Sequence, residues 1–284
     1  MAMQLQGTGV EFGALMAPTP LPDGASARYA DHRTTEELRA RYSDLDVVPV
    51  DIVLRSDDLS EIEDGSCDFL IANQVIEHLP NPLGAIETWG RKLKSDGTMF
   101  LGYPLGKYCP DRVRPITAID HLIEDYNKKT SDTCNEHALA FAWAWESHQF
   151  ADSDNIHSVL KELWSTGRTE MLEQHFSMIK NAQDLKRVRE IVANRQEEVH
   201  HHVFDTQLVI DAFAAIEEKS GLYPSDFSSG RGLLNEEILI FRRRRDPSFA
   251  SRLEAEHWVH EFIVQQQDYI RQQHEFINAM QKPA

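Results

Sequence analysis

SCDFLIANQVIEHLPNPLGAIETWGRKLKSDGTMFLGYP, residues 66–104, decides how the rest of the chain is read. Cys67 to Asn73 is an apolar run of strand length. Gln74-Val75-Ile76-Glu77-His78-Leu79 follows at its carboxyl end, and Pro80 and Pro82 punctuate a turn. Leu83 to Leu93 has the apolar spacing of a helix, Asp96-Gly97 signals a turn, and Thr98 to Tyr103 reads as a second strand. A strand, crossover helix and strand of this length is a βαβ unit, so the two strands should lie parallel and adjacent. Ligands in open α/β sheets bind beyond the carboxyl ends of the strands. Asn73 to His78 and Tyr103-Pro104 therefore mark the expected site.

The order Asp68, Asn73, Glu77-His78-Leu79, Asn81-Pro82, helix and Asp96-Gly97 resembles the middle of a class I S-adenosylmethionine-dependent methyltransferase. The resemblance implies a Rossmann-like α/β fold: a seven-strand, mostly parallel sheet with an antiparallel last strand. It covers about residues 1–126 and 199–245.

Composition bounds the alternatives. The 284 residues suffice for a full core. Forty-six acidic against 29 basic residues leave a net charge of −17. That balance argues against a nucleic-acid partner or an anionic membrane surface. No apolar run is long enough to span a bilayer, and the first residues lack the pattern of a secretion signal. Cys67, Cys109 and Cys134 are odd in number and far apart, which fits reduced thiols in a cytoplasmic protein.

Thr8 to Phe12 reads as the first strand, running through Gly13 into a loop that holds Pro18 and Pro20. It occupies the place of the superfamily's first glycine-rich motif, E/D-x-G-x-G-x-G. Glu11 and Gly13 match, while Ala14, Leu15 and Ala17 replace the rest. Methyltransferase-like sequences associated with bacterial surface-glycan synthesis have a similar proline-bearing loop. Ala25 to Ala30 is the second strand, and Asp31 at its end stands about 20 residues past the glycine loop, where an acid can accept ribose hydroxyls. Thr34 or Thr35 before Glu36-Glu37 caps the helix Thr35 to Tyr42. Val47 to Val53 is the third strand. By resemblance, Asp58 and Leu59, or Asp57 in place of Asp58, meet the adenine. Asn73 and Gln74 line the cofactor pocket, and His78 is the expected general base, its ordinary pKa lying near neutrality.

A related group of RNA methyltransferases holds a metal with a Glu-x-x-Glu-His pattern. Gln74 stands at its first position here, an amide in place of a carboxylate, so no metal is expected. After Tyr103, the loop with Arg112 and Arg114 suits an anionic or sugar-like acceptor, followed by His121 on a helix capped by Thr117. Residues 127–198 read as a helical insertion between the fifth and sixth strands, with Trp143 and Trp145 as a candidate lid. His200-His201-His202 reads as the sixth strand, where at most two of the three share a face. Without a carboxylate or cysteine partner that is a weak zinc signal. His202 is assigned to the acceptor side. Thr206 to Ser220 is a helix, Gly221 to Gly232 a connecting segment, and Glu236 to Arg242 the seventh strand.

Residues 1–245 thus form one methyltransferase-like domain, and 246–284 a helical tail. By resemblance the cofactor is S-adenosylmethionine, and the activity is O-methylation of a small molecule or glycan precursor. The alternative is a non-catalytic scaffold that has kept the fold and lost the cofactor. A nicotinamide enzyme fits less well, because no G-x-G-x-x-G follows the first strand. In the tail, Ile263, Ile270 and Ile277 recur every seven residues beside Phe262, Tyr269 and Phe276, close to a short coiled-coil seam. A homo-oligomer or partner-domain contact through this seam predicts that a chain ending at Arg245 sediments as a smaller species. An unchanged oligomeric state would remove the idea.

Overall fold

The computed structural model describes residues 2–54, 59–105, 111, 114–131, 137, 190, 199–228 and 236–243. All belong to the first of two units into which the chain divides, Met1–Arg244. The tail, the lid tryptophans Trp143 and Trp145, Asp57, Asp58 and Arg112 lie outside the described residues, as does nearly all of 127–198.

Seven strands form one sheet: β1 (Gly7–Phe12), β2 (Ala25–Asp31), β3 (Ile52–Val53), β4 (Cys67–Asn73), β5 (Leu93–Pro104), β6 (Leu222–Ser228) and β7 (Glu236–Arg243). Their order is β3-β2-β1-β4-β5-β7-β6. The pairs from β3 to β5 are parallel, and β7 is antiparallel to both its neighbours. This is the Rossmann-like methyltransferase sheet expected from the sequence. The order reverses between β1 and β4, so their carboxyl ends open the crevice in which α/β sheets bind ligands.

β4 is the central strand because it is apolar on both faces. Phe69, Leu70, Ile71 and Ala72 have no exposed surface, as a parallel strand covered on both sides requires. Helix α2 (Pro82–Lys92) covers one face. Asn81 caps it by accepting from the Gly84 amide at 2.9 Å, and Pro82 occupies the first turn, where no N–H is needed. Leu83, Ile86 and Trp89 recur every three residues on its buried stripe, and Trp89 stacks on Phe12 with ring centroids 6.2 Å apart. Helix α1 (Thr35–Arg41) starts with a reciprocal capping box between Thr34 and Glu37, as its sequence predicts.

Helix α3 (Ile119–Lys128) follows β5; α4 (Thr206–Ala215) and α5 (Glu217–Ser220) precede β6. Phe213 of α4 stacks on Phe241 of β7 with centroids 3.5 Å apart. Among the described residues, no helix is long and apolar enough to cross a membrane.

Three expectations are corrected. The third strand is only Ile52–Val53. Thr117 does not cap α3; its hydroxyl accepts from the Val203 amide at 2.9 Å, and its own amide donates to the Val203 carbonyl. The third correction follows from the same contact. Residues 199–205 are not the sixth strand, because their backbone groups bond to loops: His201 donates to the Glu77 carbonyl, and Val203 pairs with Thr117. The sixth strand is Leu222–Ser228, within the stretch Gly221 to Gly232 that the sequence suggests as a connecting segment. β6 is the edge strand, and its register shifts between Pro224 and Asp226, a place where a missing N–H costs little.

Gly90 lets α2 rest directly on backbone. A Cβ there would fall on the carbonyl oxygen of Ser220, well inside van der Waals contact. Gly90→Ala should therefore destabilise the domain by about 2–3 kcal/mol through overpacking, read as a lower urea midpoint.

Candidate functional site

Two loops meet at the carboxyl ends of β1 and β4. Gly13 after β1 has φ +64°, and a Cβ on it would lie 3.5 Å from Val75, so these loops are neighbours at the switch point. Leu15, Leu59 and Gln74 also have positive φ, at 48°, 51° and 56°. Non-glycine residues held in this region cost of order 1–3 kcal/mol each and cluster at ligand sites. Five such residues occur among those described, and two of them, Leu15 and Gln74, lie in the loops that follow β1 and β4.

Glu11, expected at the cofactor, is engaged within the protein. It is buried, and Oε1 accepts from the Thr19 amide at 2.9 Å and the Thr19 hydroxyl at 2.8 Å. Burial raises its pKa, with the Thr19 hydrogen bonds opposing. Glu11 thus anchors the far end of the proline-bearing loop. Ala14 lies in that loop, whose Ala17 amide donates to the Ala14 carbonyl at 2.9 Å. Asp31 ends β2, where Oδ1 accepts from the Arg33 amide at 3.0 Å and lies 3.1 Å from His32 Nδ1. Leu59 is buried. The Gln74 amide donates to the Gly102 carbonyl at 3.0 Å, which turns the chain out of β4.

Asn73 is the most informative of the predicted cofactor residues. Its Oδ1 is buried and has no hydrogen-bond partner among the described residues. It leans over Gly102, where any Cβ would collide with it. Asn73 also lines a pocket of about 430 Å³, with Ala2, Phe100, Ile238 and the loop residues Ala17 to Pro20 around it.

The turn Ile76–His78 carries the second half of the site. His78 Nδ1 donates to the Val199 carbonyl at 3.1 Å, which leaves Nε2 as the lone-pair nitrogen of the neutral ring. Burial, and then the neighbouring His200, lower its pKa to about 4. That removes His78 from the range best suited to a general base. His200 meets it edge-on with centroids 4.7 Å apart, and His200 Nδ1 hydrogen-bonds Asp111. Burial works against a charge on His200, but the hydrogen bond and charge of Asp111 outweigh it and raise the pKa. For Asp111, burial is likewise outweighed, by His200 and Arg114, and the pKa is lowered.

A carboxylate that fixes one nitrogen of an imidazole leaves the other for proton transfer, so His200 is the better base on geometry. The sequence offered a faint signal for this pair. Asp111 and Arg114 are three apart in the acceptor loop, but nothing along the chain joins them to residue 200.

The expected acceptor residues go elsewhere. Arg114 donates to Asp111 at 2.8 Å, to the His200 carbonyl at 2.7 Å and to the His201 carbonyl at 2.9 Å. Its guanidinium holds the protein's own chain, which leaves it unsuited to an anionic substrate. Tyr103 is fully buried, and its hydroxyl donates to Glu237 at 2.9 Å inside the sheet. His121 and His202 face each other with centroids 5.6 Å apart, and His202 is fully buried.

A methyltransferase domain model matches residues 29–188, more than half of the chain. No curated protein matches the sequence. Solved structures similar to it include a possible histamine N-methyltransferase from Thermotoga maritima, with 13% identity, 84% of this chain and 83% of that chain covered, and a TM-score of 0.40. A putative S-adenosylmethionine-dependent methyltransferase from Methanococcus maripaludis has 14% identity, coverage of 86% and 80%, and a TM-score of 0.37. Against the CurJ carbon methyltransferase the values are 10% identity and a TM-score of 0.36, with 84% of this chain but only 49% of that one covered. On the strength of the domain match, and with the sheet order to accord with it, the chain belongs to the methyltransferase domain family.

Proposed function

We propose that the chain transfers a methyl group from S-adenosylmethionine to a hydroxyl of a small molecule or glycan precursor, as a cytoplasmic enzyme. The observation that carries this reading is the orphaned Asn73 Oδ1 in the pocket beside the switch point. A buried acceptor without a partner is costly unless a ligand supplies the donor. An ammonium such as that of a methionine moiety supplies one, so the residues present fit the group. The cofactor, when bound, supplies a methyl group on a sulfonium, an electrophile that needs only a positioned, deprotonated acceptor.

The chain's own residues have these roles in the proposal. Asn73 and Gln74 hold the methionine moiety, and Gly13 and Ala14 keep the floor of the crevice thin. Asp31, whose Oδ1 is engaged by the Arg33 amide and His32, offers Oδ2 to a ribose diol. Leu59 and the acid before it, Asp58 or Asp57, meet the adenine. His200 takes the acceptor's proton while Asp111 holds its Nδ1, and His78 packs edge-on against the base. The glycan class of acceptor has only the proline-bearing loop in its favour.

One observation favours the scaffold reading instead. Thr19 occupies the carboxylate of Glu11, so the first loop is already anchored without a ligand. Titration calorimetry separates the two. The full chain should bind S-adenosylmethionine and S-adenosylhomocysteine at micromolar concentration, and Asp31→Ala should weaken both about tenfold or more. His200→Gln should leave binding within about twofold and slow transfer to phenol and sugar acceptors by about 10²–10⁴. A folded chain that binds neither ligand supports the scaffold.

A further inference from the structure

Behind the Ile76–His78 turn, four side chains from three parts of the chain converge. His121 and Asp125 stand one turn apart on α3, His137 comes from the stretch after it, and His202 from the segment before α4. Their four ligand atoms lie within 4.8 Å of one another. His121 Nε2 is 3.0 Å from His137 Nε2. Asp125 Oδ2 is 3.4 Å from His121 Nε2, 3.4 Å from His137 Nε2 and 3.7 Å from His202 Nε2.

The His121–His137 spacing would also suit a hydrogen bond, but the three approaches to Asp125 Oδ2 are long for hydrogen bonds and right for a shared ion. A charged N–H···O⁻ bond measures about 2.7–2.9 Å, and every approach to Oδ2 is longer. Ligands about 2.0–2.1 Å from a tetrahedral zinc ion stand roughly 3.3–3.4 Å apart, in the middle of the observed range. Asp125 Oδ2 is buried without a hydrogen-bond partner among the described residues. Its other oxygen accepts from the Thr130 hydroxyl at 2.8 Å, the outer bond that orients a ligating carboxylate. His202 Nε2 also lies 3.5 Å from the Pro80 carbonyl, at the outer edge of hydrogen bonding.

The side chains of Asp125, His137 and His202 are 6%, 2% and 0% exposed, and that of His121 is 23% exposed, which gives an ion one side of entry. Glu77, His78 and His200 also gather within 4.8 Å of one another. That set has no fourth member among the described residues, and the Nδ1 atoms of His78 and His200 are engaged by Val199 and Asp111.

We propose that His121, Asp125, His137 and His202 bind one zinc ion in a closed, four-ligand structural site. Three imidazoles and one carboxylate suit zinc, whereas magnesium and calcium prefer all-oxygen shells. The ion ties α3 to the segment that carries His200. It does not depend on the methyl-transfer reading and would stand if that reading failed. The expectation of no metal came from neighbours in sequence; here the ligands come from positions 121, 125, 137 and 202.

The test uses the full chain, stripped with a chelator and checked for fold by circular dichroism. Zinc is titrated against a chromophoric competitor, and cobalt(II) is followed in the visible. The expected result is one ion per chain, with the intense bands of four-coordinate cobalt. His121→Ala and Asp125→Asn should each weaken zinc about 100-fold or more, since loss of an outer-shell partner alone costs 10–100-fold. Glu77→Gln should leave the affinity unchanged. A folded chain that binds neither ion overturns the proposal. So does a metal retained by His121→Ala, the partly exposed and least disruptive variant, but lost in Glu77→Gln.

Discussion

Much of the site depends on one guanidinium. Arg114 bonds Asp111 and the carbonyls of His200 and His201, and so joins the loop after β5 to a segment almost ninety residues later. The described residues of both segments lie outside the sheet, so no strand ladder holds them. A buried arginine that satisfies two carbonyls and a carboxylate replaces the missing ladder with charge-assisted bonds. The Asp111–His200 pair exists only because this junction is closed, and His202 lies two residues further along the same segment. Removing one member of such a buried set leaves the others unpaired, which typically costs more than a single surface ion pair provides.

The sheet behind it is legible in the sequence for a simple reason: burial on both faces makes residues 69–72 of β4 and 99–103 of β5 largely apolar runs, and α2 has a proline and an asparagine cap at its start. The exceptions are also physical. β6 contains a proline, and propensity says nothing about whether a strand will lie at an edge, where that proline is tolerated. His200 to Asp205 has the composition of a strand, but its hydrogen-bonding groups are claimed by Glu77, Arg114 and Thr117, three residues distant in sequence.

The same limit governs the site. Asn73, Gly13 and Asp31 could be named as candidates from their place at strand ends, since the crevice of an α/β sheet is set by topology. The partner of His200 could not, because the pairing of Asp111 with it is a tertiary fact. His78 was assigned the proton-transfer role from its position after β4. Its hydrogen bond to Val199 and its burial make it a neutral packing partner, and the carboxylate-held neighbour has the better claim. The three adjacent histidines were discounted for metal because alternation separates neighbours on a strand. On an irregular segment alternation does not apply.

The proposed function rests on the crevice and this lashed segment facing one another. The structure of the full chain with S-adenosylhomocysteine is the most direct test. The ligand should lie across the ends of β1 and β4, its amino group on Asn73, its ribose on Asp31 and its sulfur turned toward the His78–His200 pair. A ligand bound away from Asn73, or a crevice that stays closed by the Thr19-anchored loop at saturating ligand, would contradict that arrangement.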